Sequence, residues 1–372
     1  MKKFLTVLIT AAALIMLSVY SVGAEENSML YDLSGIYDSL SDDVKESLGN
    51  IGADSADPAK LSEISFTSIL AEIADMASQN SSSPLQGLIN ITALLLICSI
   101  LTAYKGSLSN DISNTINIVS TLCITCAVVM PAVNVIKTVS AVIENASNIM
   151  IAYLPVMLTI MASSGRAVSG SSYYSMMLLA GQGVGQLSSK IIVPFLNMFL
   201  GISVSSSVSP DINLSGLVGL ISKLIKWMLS FAMMIFSALL TFKQLIATSL
   251  DDVASRAVRF SLNSFVPIVG SALADAYKTV QSSVGLLKSG VGVFVIISIA
   301  VVFLPVIIQC LMWIATLWLG RSTAEILNLS QGAKLLECVS TVFSTLLAIT
   351  LCIMAVYIIS TAIILIIGGG SG

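Results

Sequence analysis

Residues 291–319 read VGVFVIISIAVVFLPVIIQCLMWIATLWL, without one acidic or basic side chain. A helix needs about 20 mostly apolar residues to cross the hydrocarbon of a bilayer, and this run exceeds that. Six further stretches share its character: 86–104, 113–136, 147–163, 173–204, 217–246 and 338–367. Lipid offers no water to backbone N–H and C=O groups, so such runs have to pair those groups internally, as helices. The expected fold is all-α: a polytopic integral membrane protein with about seven transmembrane helices. Residues 173–204 are too long for one straight crossing and contain Gly181, Gly183, Gly185, Lys190 and Pro194, so a broken helix or a helical hairpin is expected there.

Composition points the same way. Of the 372 residues, 56% are hydrophobic and 10% charged, with a mean hydropathy of +0.97. A soluble domain carries about 25% charged residues, and a chain this apolar cannot cover its core with polar surface. Histidine is absent, which removes the commonest general base and metal ligand. No P-loop, HExxH or Gly-x-Ser-x-Gly pattern occurs, so no enzyme activity, cofactor or metal is expected. The six cysteines sit mostly in apolar runs and read as small fillers between helices. Cys123 and Cys126 form a C-x-x-C, but a greasy helix opposes the thiolate that redox or metal chemistry needs. No basic stripe with interleaved aromatics suggests nucleic acid.

Outside the membrane body the charge is uneven. Residues 25–85 hold 12 acidic and 2 basic side chains, whereas 86–372 hold 8 and 13, so the first region faces water. Before it, Lys2-Lys3, an apolar core from Phe4 to Leu17 and the small residues Val22-Gly23-Ala24 fit a secretory signal cleaved after Ala24, or else an uncleaved anchor. The expected organisation is a signal peptide over 1–24, an extracytoplasmic acidic helical segment with its linker over 25–85, and a multi-pass domain over 86–372. Leu33, Ile36, Tyr37, Leu40, Val44 and Leu48, then Leu61, Ile64, Leu70, Ile73 and Met76, recur at helical spacing. Asp57-Pro58 is a capping pair for the second helix, and Gln79–Pro84 reads as its end. A cleaved signal places the Lys105 loop in the cytosol. Two spans later Arg166 is cytosolic too, with Lys137 and Glu144 flanking an external loop between them. Residues 203–216 are then external and 243–290 cytosolic. Arg321 and Lys334 fall outside, against the positive-inside rule.

Within or against the apolar stretches, Pro155, Pro194, Pro267 and Pro305 share a local apolar-Pro-apolar shape. Each removes a backbone donor and kinks its helix; such breaks build transporter sites or serve only as packing kinks. Gly181 and Gly185 stand four apart, which suits close helix packing or the lining of a path. Residues 250–288 are the richest polar stretch. Asp252 with Arg256 and Asp275 with Lys278 have helical pair spacing, around an apolar 265–270 too short to span. Two short helices about a re-entrant or interfacial turn are expected there, with Asp252, Arg256 and Asp275 as charges at a cytosolic mouth or as ordinary surface pairs.

Tyr153-Leu154-Pro155-Val156-Met157-Leu158-Thr159 followed by Ser163-Ser164-Gly165, and Asp252-Val253-Ala254-Ser255-Arg256 running into Asn263-Ser264-Phe265-Val266-Pro267-Ile268-Val269-Gly270 and Leu273-Ala274-Asp275-Ala276, resemble signatures of the stage III sporulation protein AE family. The likeness covers nearly the whole chain. It implies a permease-like, multi-pass subunit of a secretion-like channel complex between mother cell and forespore, required for endospore formation. It implies a place in the outer forespore membrane of the mother cell. The implied partners are other stage III sporulation proteins and stage II sporulation protein Q. A structural scaffold of that complex without transport, or a stand-alone solute permease, are the alternatives.

Overall fold

A computed structural model describes residues 36–37, 39–53, 55, 60–61, 63–103, 110–187, 190, 193–208, 215–265 and 270–367. The signal peptide, Asp57-Pro58, Lys105 and Pro267 lie outside these residues. Among them the secondary structure is helical, with no strand. The main elements are α1 (Asp42–Asn50), α2 (Phe66–Ala103), α3 (Asn110–Ser163), α4 (Ala167–Leu187), α5 (Val193–Val208), α6 (Ser215–Phe265), α7 (Gly270–Ile326) and α8 (Ser330–Ile367). Five of them, α2, α3, α6, α7 and α8, are long and apolar enough to cross a membrane.

Two expected breaks are helix interior. The spans at 113–136 and 147–163 are one helix, α3, of 54 residues. At 1.5 Å per residue its ends stand about 80 Å apart, so it runs in one direction and cannot cross twice. Lys137 and Glu144 are exposed on its outer side and flank no loop. Similarly, Gln79–Pro84 does not end a helix, because α2 continues through Pro84. The polar side chains there bond back onto the helix: Asn80 Nδ2 to the Met76 carbonyl at 2.8 Å and Ser81 Oγ to that of Ser78 at 2.7 Å. Thr316 Oγ1 of α7 donates to the Pro84 carbonyl at 3.2 Å. These bonds hold polar side chains against the helix around the proline. The start of α2 is fixed by Ser65, whose Oγ accepts the Thr67 N–H at 3.3 Å.

Around the break expected in 173–204, α4 is described to Leu187 and α5 from Val193, with Lys190 between them in a π-helical turn; the other residues of the junction lie outside the described residues. Pro194 is the second described residue of α5. Residues 250–288 do not form two short helices. They are the end of α6 and the beginning of α7, helices of 51 and 57 residues.

Helices α7 and α8 form the core hairpin, and α2, α3 and α6 pack around it. The hairpin turns at Leu327–Leu329, where Asn328 has φ 58° and the Leu329 N–H reaches the Ala324 carbonyl at 2.9 Å. This is a left-handed C-cap with asparagine in the usual glycine place. Gly165 (φ 76°) ends α3 in the same way, with the Arg166 N–H on the Met161 carbonyl. The turn lies beside the beginning of α3, because Thr121 Oγ1 donates to Gln331 Oε1 at 3.3 Å. Arg321 and Lys334 thus flank the end of the bundle from which α3 departs. Counted as one span, α3 puts Arg321 and Lys334 at the end of the bundle opposite Arg166.

Trp313 is the largest fully buried side chain. It stacks on Phe343 at 5.8 Å and fills the space left by Gly87, where a methyl group would overlap the indole. Gly87→Ala should therefore lower stability by about 1–3 kcal/mol through overpacking. Gly219→Ala, with open space around it, should be neutral or slightly stabilising. Thermal unfolding of the full chain in detergent checks both, and equal midpoints for the two variants would contradict this packing.

Candidate functional site

A helix that follows a tight turn exposes its first N–H groups, and α4 follows α3 after only Ser164, Gly165 and Arg166. Arg166, in the N-cap position, has no acceptor to offer. The acceptor comes from α6: the Asp251 carboxylate takes the Val168 N–H at 3.0 Å and the Ser169 N–H at 2.7 Å. Asp251 is buried, and a carboxylate at a helix N-terminus also meets the positive end of the helix dipole. One turn earlier on α6, Thr248 Oγ1 lies 3.3 Å from Ser169 Oγ.

Asp252 faces Arg166, Oδ1 to Nη2 at 3.9 Å, rather than the expected Arg256, which is exposed. Arg166 is itself buried. Lys288 of α7 completes the corner. It is 3% exposed, lies within electrostatic reach of Arg166, and its Nζ has no hydrogen-bond partner. Two carboxylates and two cations therefore meet where α3, α4, α6 and α7 converge. The two sequence blocks that carry the family resemblance, one ending at Gly165 and the other opening at Asp252, come together here. Of the expected mouth charges, this brings in Asp252 but not Arg256. Asp275 lies on α7, its side chain outside the described residues.

Below the corner, hydroxyl groups line the packed faces of α3, α4 and α8. Tyr153, Tyr173 and Tyr357 are fully buried, with Tyr153, Ser360 and Thr361 around the Tyr173 hydroxyl and Ser147 beside that of Tyr357. Tyr173 packs edge-on against Tyr153 at 6.4 Å. Ser147 Oγ donates to the Gly181 carbonyl, and Ile151 lies within van der Waals contact of a side chain built on Gly181. The packing of α3 on α4 therefore leaves room for a methyl group at position 181. Gly185 lies farther along α4. Pro155 is exposed within α3, its carbonyl accepting Thr159 Oγ1 at 2.9 Å, and Pro305 is half-buried within α7. The prolines and glycines do not gather at one place.

Sequence reading missed a third feature. Asn134, Lys137, Thr138, Glu144 and Asn148 are all exposed, on one side of α3 and near its mid-length. Only Lys137 and Glu144 gave a signal, and they suggested a loop. No group of three or more His, Cys, Asp or Glu able to hold a metal occurs among the described residues.

A family model described as Stage III sporulation protein AE matches residues 59–370. The protein of that name from Bacillus subtilis (strain 168) is 23% identical over 207 residues, 56% of this chain and 51% of that protein. The chain therefore covers about half the length of that relative. No solved structure matches.

Removing the Asp251 carboxylate strands two buried N–H groups, so Asp251→Ala should cost about 2–4 kcal/mol. Asp252→Ala breaks only a long, half-exposed ion pair and should cost under about 1 kcal/mol. Urea or thermal titration of detergent-solubilised protein separates the two, and the reverse ranking would refute the capping role.

Proposed function

Because the chain belongs to the Stage III sporulation protein AE family, we propose that this sporulation membrane protein is the permease-like subunit of a channel complex joining mother cell and forespore. On this reading it resides in the outer forespore membrane and assembles with other stage III sporulation proteins and with stage II sporulation protein Q. It performs no enzymatic step and needs no cofactor.

The outer side of α3 carries this reading. Charged and amide side chains at mid-length of a membrane helix are costly against lipid and mark a surface turned to water or to another protein. Lys137 and Glu144 occupy such a place and are exposed. A path for polar solutes running along this side, closed by neighbouring subunits, makes the protein part of an assembly rather than a stand-alone permease. The Asp251 corner fixes the direction of α4 and α6 at one end of that surface.

A scaffold without transport is the second reading. Helix α6 favours it, because Trp227, Met228, Phe231 and Phe242 are all exposed along it and offer an apolar face to other membrane helices.

The two readings part on substitutions in α3. Lys137→Leu and Glu144→Leu should insert and melt like the wild type, since an exposed apolar residue is compatible with detergent and lipid. Each should lower solute efflux several-fold from vesicles reconstituted with the partner proteins, and lower spore yield. Wild-type efflux and spore yield in both variants would overturn the conduit.

A further inference from the structure

A cavity of about 320 Å³ opens between α6, α7 and α8, about 37 Å along α6 from Asp251. Its floor is a polar stripe on α8: Glu337, Ser340, Thr341 and Ser344 follow one another at helical spacing. Lys226 enters from α6, its Nζ donating to Ser344 Oγ at 2.9 Å. Arg321 enters from α7, with Nη1 2.9 Å from Glu337 Oε1 and Nε 2.8 Å from Glu325 Oε1. An ammonium has three donors and a guanidinium five, so both cations keep donors for another acceptor.

The cavity stands where the hydrocarbon ends. The apolar run of α7 closes at Leu319 and that of α8 opens at Cys338, so Arg321 and Glu337 lie at the edge. Ser344 lies two helical turns deeper, about 10 Å. Trp318 lines the same cavity and is 63% exposed, the placement an indole takes at a membrane interface. A lysine inside an apolar span is costly unless its charge is met, and it marks a functional place by default. The long side chain of Lys226 reaches toward this polar edge.

We propose that this groove binds the headgroup of an anionic phospholipid, its phosphate held between Lys226 and Arg321. Two cations and one carboxylate line the cavity, and a second carboxylate, Glu325, holds Arg321 from outside it, so the phosphate is met by Lys226 and by the guanidinium donors that the carboxylates leave free. A glycerol headgroup would present its hydroxyls to Glu337 and the serine oxygens. Trp227 and Phe231, exposed and stacked at 5.5 Å on the neighbouring face of α6, give the acyl chains an apolar wall. Free phosphate shares the recognition chemistry but gains nothing from that wall.

Native mass spectrometry and thermal unfolding of the full chain in detergent test the site, with phosphatidylglycerol, phosphatidylcholine and inorganic phosphate as probes. Phosphatidylglycerol should be retained preferentially and should raise the unfolding midpoint. Lys226→Gln or Arg321→Gln should each cut its retention about five-fold. Lys226→Arg should keep it, and so should Lys223→Gln, which removes an exposed cation one turn away on the same helix. Equal retention of both lipids would overturn the proposal. So would an equal loss in Lys223→Gln, or protection by inorganic phosphate as strong as that by phosphatidylglycerol.

Discussion

A peptide group in hydrocarbon has to find its hydrogen-bond partner within the chain, and every feature of this bundle follows from that constraint. It makes helices obligatory and makes interrupting them expensive. The chain accordingly runs through Pro84, Pro131, Pro155 and Pro305 without ending a helix. Near Pro84, Asn80, Ser81 and Thr316 side chains bond to backbone carbonyls. Where helices do end, the turns close their own hydrogen bonds, through Gly165 and Asn328 in left-handed conformations. At the turn between α3 and α4, α6 lends the Asp251 carboxylate to the first N–H groups of α4.

The same constraint sorts the polar side chains. Asp251, Arg166 and Lys288 are buried together, Asp251 holding the first N–H groups of α4 and Arg166 facing Asp252, while Lys288 Nζ meets no hydrogen-bond partner. Such a set adds little net stability relative to apolar packing, but removing one member leaves a charge stranded. Its effect is to fix geometry at the meeting of four helices. Lys137 and Glu144 have the opposite setting, exposed on α3 with no need of the fold. Residues that stabilise nothing at a costly position are best explained by what lies outside the subunit.

Much of this was legible in the sequence. Unbroken apolar runs specify helices. The errors have physical causes. Ser and Asn around 79–83 favour turns in isolation, but in α2 their side chains bond back to the helix and α7 supports them. Lys137 and Glu144 resemble loop charges because hydropathy has no direction, whereas on a helix they occupy one side only. The partner of Asp252 was taken from the i,i+4 rule, yet Arg166 lies 86 positions away in the chain, and no local pattern encodes that contact. Tyr153, Tyr173 and Ser147 hid inside apolar runs, since a hydroxyl hardly alters the pattern.

The central claim is that α3 traverses the membrane once. It is tested most directly by labelling single cysteines, in a background without the native ones, with a membrane-impermeant maleimide. Ser163→Cys marks the far end of α3. Asn328→Cys marks the α7–α8 turn, beside Thr121 near its beginning. A single traverse requires one to be labelled in intact cells and the other only after permeabilisation. Labelling of both from the same side would contradict it.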